Sequence, residues 1–169
     1  MNDISQKLKE TLLGLIRNQD LSECVRAPDK DFARNRKLPY EKMILSLLTM
    51  EGTSLKNELL RQFGYHCDIA SSSAFVQQRE KILPAAMEKL FYSFVAETDV
   101  PLGFKGFRLI AVDGSDIQMP INLNDADSLI QTCEGRKPYN LLHLNALYDL
   151  QAHTYVDAIV QKKHASSEN

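Results

Sequence analysis

No stretch of this 169-residue sequence is apolar for long enough to span a membrane, and the opening Met1-Asn2-Asp3-Ile4 lacks a signal-peptide pattern. The expected location is therefore the cytoplasm. An excess of one charge is also missing. Twenty basic residues face 22 acidic ones for a net charge of −2, so any surface that binds nucleic acid has to be local. Cysteine is scarce. Cys24, Cys67 and Cys133 are odd in number and widely spaced, which suits reduced thiols better than a disulfide framework. His66 and Cys67 adjoin without a second pair at ligand spacing, so a zinc site is not expected. What is abundant is apolar side chain, at 44%, enough for a packed core and against global disorder. The length suits one domain, or a small domain with part of another.

One stretch stands out, Arg108-Leu109-Ile110-Ala111-Val112-Asp113-Gly114-Ser115-Asp116. Apolar residues run up to Asp113, and Gly114 then permits a turn. The pattern predicts a buried strand that delivers a carboxylate at its C-terminal end, held rigidly enough to ligate a metal. Asp-Gly between apolar runs is also a strong signal for a two-residue hairpin turn.

The front of the chain reads as helical. Ile4, Leu8, Leu12, Leu15 and Ile16 fall on one helix face, and residues 20–31 are less regular around Pro28. Arg34, Arg36 and Lys37 form a compact basic cluster before Pro39 opens a helix to Met50. A cluster of this size is more often a solvated loop, but Arg and Lys beside ordered backbone also suit phosphate contact. Ser54 caps a short helix ended by Gly64, and Ser71-Ser72-Ser73 caps another that carries Gln77, Gln78, Arg79 and Lys81. The succession resembles a helix-turn-helix, and Gln and Arg are the side chains that pair with base edges, although a polar helix face commonly just meets water. A further helix runs from Pro84 to about Glu97 with a broad apolar face. Pro101, Gly103 and Gly106 mark a hinge.

Behind the hinge the expected order is strand, long loop, strand, turn, strand. The loop, about Asn122 to Pro138, is polar and unusually long. Strands are expected over Tyr139 to Tyr148 and Thr154 to Gln161, joined by a turn at Asp149 to His153. Ser166 or Ser167 would cap a helix with Glu168 in its first turn, which suggests a fragment of a longer protein.

Four segments in this order carry a resemblance. They are Phe32-Ala33-Arg34-Asn35-Arg36-Lys37-Leu38-Pro39, Ser72-Ser73-Ala74-Phe75-Val76-Gln77-Gln78-Arg79-Glu80-Lys81-Ile82, Ala111-Val112-Asp113-Gly114-Ser115 and Leu144-Asn145-Ala146-Leu147-Tyr148-Asp149. Together they resemble the N-terminal part of a DDE transposase of bacterial insertion sequences, of the insertion-sequence-4 group. No single segment is specific; their ordered set is what carries the likeness, over essentially the whole chain.

The resemblance implies an α+β protein. An all-helical DNA-binding region would cover residues 1–98, with a linker at 99–106. The first three antiparallel strands of a ribonuclease-H-like domain would cover 107–169. It implies that Asp113 is the first acid of a catalytic set of two aspartates and a glutamate that holds Mg2+. The later aspartate, and the glutamate of a tyrosine-arginine-glutamate-lysine signature, are not in the sequence. Two metals roughly 3.5–4 Å apart need several carboxylates, so a chain with Asp113 alone is expected to be inactive by itself. The implied partners are double-stranded DNA at transposon ends and full-length transposase copies. Arg34, Arg36 and Lys37 would meet phosphates, and Gln77, Gln78 and Arg79 would read bases or backbone. The alternative is a non-catalytic DNA-binding or regulatory module that competes with the full-length enzyme. A haloacid-dehalogenase type of phosphatase would need its nucleophilic aspartate at position 111, which is Ala111.

Overall fold

The computed structural model describes residues 3–34, 36–66, 68–99, 103–130 and 137–162. The chain divides into two units, Met1–Thr98 and Asp99–Asn169. The first is helical and the second is a sheet, so the fold is mixed α+β. No described helix is long and apolar enough to cross a membrane.

The helical unit contains α1 (Asp3–Arg17), α2 (Leu21–Cys24), α3 (Tyr40–Leu48), α4 (Leu55–Gln62), α5 (Ser72–Arg79) and α6 (Pro84–Thr98). Only the second half of the apolar stripe of α1 is used: Ile16 is fully buried with Leu12 and Leu15 packed nearby, while Ile4 and Leu8 stay exposed. The short α2 lies where an irregular stretch was expected. The side chain of Asp20 caps it, accepting a 2.9 Å hydrogen bond from the Ser22 amide. Ser54 and Ser71 cap α4 and α5 as their positions predict, accepting from the amides of Asn57 and Ala74. Gly64, at φ +64°, ends α4. There the Tyr65 amide donates to the Leu60 carbonyl and the Gly64 amide to that of Arg61, which satisfies two of the last carbonyls of the helix.

Two apolar clusters hold these helices. Ile16, Cys24, Val25, Tyr40, Ile44, Ala86 and Leu90 form one, drawing on α1, α2, α3 and α6. Leu38, Met43, Leu59, Ala70 and Phe75 form the other, with one buried side chain each from α3, α4 and α5. Tyr40 donates to Gln19 Oε1 at 2.9 Å, and burial pushes its phenol pKa up. The turn between α3 and α4 is organised by Glu58. Its buried carboxylate accepts from the amides of Glu51 and Thr53 and from the Thr53 hydroxyl, and Arg61 lies 2.7 Å away.

The sheet unit contains β1 (Ile110–Met119), β2 (Leu129–Ile130), β3 (Tyr139–Asp149) and β4 (Thr154–Lys162), all paired antiparallel. The expected meander of three strands is present as β1, β3 and β4. The short β2 is an addition, pairing with the start of β3. Among the described residues β1 pairs with β3 alone, which leaves its other edge open. Val112 is 69% exposed and Val160 58%, so the apolar residues of these strands have little core to share. Buried polar groups organise the unit instead. The Asn140 amide nitrogen donates to Ser128 Oγ and to the Asn122 carbonyl, and its oxygen accepts from the Asn122 amide. That fixes the front of the long polar loop. Asp149 is fully buried; it accepts from the amides of Gln151 and Ala152 in the β3–β4 turn and from Arg108 Nε at 2.6 Å. The helix entry expected at Ser166 to Glu168 lies outside the described residues.

Among the carboxylates whose pKa is lowered are two buried ones, Glu58 and Asp149. Glu58 is lowered by hydrogen bonds from the hydroxyl and amide of Thr53, and Asp149 by the Ala152 amide and then by Arg108. A folded-state pKa below the unfolded one stabilises the fold above the ordinary carboxylate pKa of about 4, and that contribution is lost as pH falls through the folded value. Glu58→Gln is therefore expected to melt below the wild type at pH 7, with the gap narrowing below about pH 4. A gap that does not change with pH would remove this role for Glu58; thermal melts followed by circular dichroism measure it.

Candidate nucleic-acid interface

The basic cluster is positioned by what precedes it. After Pro28 the chain makes a tight turn in which the amides of Lys30 and Asp31 donate to the Ala27 carbonyl, and Asp31 Oδ2 accepts back from the Ala27 amide. Phe32 follows at φ +58°, an uncommon conformation for a large side chain. Its ring packs edge-on against Tyr40 at 5.5 Å. That contact fixes the chain direction at Ala33 and Arg34.

The exit of α5 meets this segment. Val25 and Ile82 form an antiparallel bridge, with the Arg26 amide donating to the Lys81 carbonyl and the Leu83 amide to that of Cys24, both at 2.9 Å. Lys81 Nζ lies 3.7 Å from Asp31 Oδ1 and 5.9 Å from the centre of the Phe32 ring. The result is a cavity of about 330 Å³ lined by Asp29, Lys30, Arg34, Arg36, Gln78 and Lys81 over an apolar floor that includes Phe32 and Leu38. Four cationic side chains converge there against one lining carboxylate.

The predicted contact residues separate into groups. Arg34, Arg36 and Gln78 come together in the cavity. Lys37 is exposed, pairs with Asp68 and is not part of the lining. Gln77 is exposed on α5. Arg79 lines a separate concavity of about 200 Å³ with Met50, Thr53, Leu55 and Phe75. Gln78 is not on an open polar face: it is 8% exposed, on the side of α5 that buries Phe75 one helical turn earlier. Lys30 had no signal in the sequence. Lys81 could be found only as one cation on an apparently polar helix, and it lies past the helix end.

Asp113 does not sit at a strand tip. β1 runs on through Gly114 to Met119, and Asp113 lies opposite Ala146 with its side chain exposed. Nor is Asp113-Gly114 a hairpin turn, since Gly114 pairs with Asn145 inside the ladder. The glycine has a cross-strand use. A Cβ there would stand 3.0 Å from His143 Nε2 and 3.2 Å from Asn145 Oδ1. Asp116 is three residues from Asp113 along an extended strand and so points to the opposite face, where His143 Nδ1 lies 2.9 Å from its Oδ1. The two acids thus do not share an ion. Among the described residues no three His, Cys, Asp or Glu side chains gather closely enough to hold a metal.

No protein-family model, curated protein or solved structure matches the chain.

An exposed acid contributes little to folding, so Asp113→Asn is expected to change unfolding free energy by less than about 0.5 kcal/mol. Asn140→Ala, which leaves buried loop groups without partners, is expected to cost about 1–3 kcal/mol. Urea denaturation of both variants checks this. A large loss in Asp113→Asn would make that carboxylate a structural group.

Proposed function

We propose that this chain binds double-stranded DNA through its helical unit, as a cytoplasmic protein of DNA transposition related to the DDE transposases it resembles. The supporting observation is that two distant basic stretches, at Lys30 to Arg36 and at Lys81, line one cavity in a protein whose net charge is −2. Positive charge is thereby concentrated where composition supplies none overall, which is the electrostatic footprint that phosphate contact needs. α3, α4 and α5 share one core and leave Gln77 and Arg79 exposed, an arrangement suited to presenting α5 to a groove.

Between the two forms of this reading, one observation favours the non-catalytic one. Asp113 has Ala111 and Ser115 as its neighbours along the same face of β1 and Ala146 opposite it, and no group of three or more candidate ligands gathers among the described residues. The chain then acts as a DNA-binding or regulatory module that occupies transposon ends in competition with, or in company with, full-length transposase copies. Strand cleavage with Mg2+ at Asp113, in a ribonuclease-H-like domain, is the other form, and it needs ligands from outside the described residues.

Fluorescence anisotropy with a labelled duplex of about 20 base pairs tests DNA binding. A dissociation constant in the range of about 10⁻⁴–10⁻⁶ M is expected for sequence-independent binding at physiological salt, tightening steeply as salt is lowered. Arg34→Gln combined with Arg36→Gln should reduce the magnitude of the slope of log affinity against log salt by about 2. No detectable binding at 50 mM salt would remove the reading.

A further inference from the structure

We infer that the cavity between the Lys30–Arg36 segment and the exit of α5 is a phosphate site, with Gln78 as its buried neutral donor; the view that the phosphate belongs to duplex DNA rests on the reading above. Gln78 carries the inference. It is a polar side chain more than nine-tenths buried, yet it lines the cavity. No described residue takes up its amide group in a hydrogen bond. Its amide atoms reach the open cavity, where the NH2 can donate to an oxyanion. Lys30, Arg34, Arg36 and Lys81 supply charge around the same space. Lys81 is held in place by Asp31, which is itself fixed by the Ala27 amide, so at least one cation is positioned before a ligand arrives.

The size of the cavity and the position of Asp29 narrow the ligand. A volume of about 330 Å³ is many times the ~10–15 Å³ that admits one water, more than a bare phosphate ion fills. A phosphodiester with sugar atoms on either side fits that volume better. Lys37 lies next in sequence outside the lining, where Asp68 offsets its charge. Asp29 lines the cavity and opposes any anion there, so the wild-type site is weaker than its four cations alone would make it.

Four variants and three probes test this. Arg36→Gln is expected to weaken binding of the duplex about tenfold and to reduce the salt slope by about 1. Gln78→Leu should weaken it about tenfold with the slope unchanged, since no charge is lost. Asp29→Asn should tighten it about threefold. Lys7→Gln with Lys9→Gln, on the exposed face of α1, should change it less than twofold. Arg36 and Asp29 are exposed, so those two variants decide the question even if Gln78→Leu is poorly folded. Inorganic phosphate and deoxyadenosine monophosphate, titrated calorimetrically, separate the sources. If the duplex binds but Arg36→Gln and Asp29→Asn behave like the α1 control, the phosphate site is overturned and DNA binding stands. If the duplex does not bind but inorganic phosphate or the nucleotide does, with loss in Arg36→Gln, the site stands and the DNA reading falls. If none of the three probes binds, the site is overturned.

Discussion

Two backbone hydrogen bonds, Arg26 N to the Lys81 carbonyl and Leu83 N to the Cys24 carbonyl, join segments that are far apart in sequence. The rest of the helical unit depends on that short antiparallel clasp. It brings the end of α2 to the end of α5, buries Val25 beside Ile82, and so links the cluster around Ile44 with the one around Phe75. The same clasp turns two ordinary basic stretches into a single cavity. Without it Lys81 would be a solvated lysine after a short helix, and Arg34 and Arg36 would be loop residues with no shared target.

The two units are held by different physics. The helical unit buries interdigitating apolar side chains, and its buried polar groups, such as Glu58 and Tyr40, are satisfied locally. The sheet unit has Leu141 as its buried apolar strand residue and relies on Asn140 and Asp149 to fold its loop and its turn. A buried polar group that finds all its partners specifies one geometry, because leaving it unpaired costs more than pairing gains. Asp113 plays no such part. Its exposed carboxylate is the kind of side chain that folding does not require.

The helices were legible because their signals are local. Ser54 and Ser71 stand one residue before amphipathic runs and cap them, and Gly64 sits where the chain must turn left-handed. Of the strands, β3 and β4 were legible from alternation, to within a residue. The signals that misled were those where a distant partner overrides the local preference. Asp113-Gly114 has the chemistry of a turn, but ten residues of pairing with β3 carry the strand through it, and Gly114 instead makes room for His143. Gln78 belongs to a polar sequence and is buried all the same, because Phe75 and Gln78 share the helix face that packs inward. Lys30 and Asp29 carried no signal at all, since their meeting with Arg36 depends on the clasp and not on spacing.

The most direct measurement is a nuclear magnetic resonance titration of the isotope-labelled full chain with a short DNA duplex at low salt. Amide and side-chain shifts concentrated at Lys30, Arg34, Arg36, Gln78 and Lys81, with the Gln78 side-chain NH2 resonances among the most displaced, are expected. Shifts that bypass these residues, or that gather on β1 to β4 alone, would contradict a DNA contact centred on the cavity.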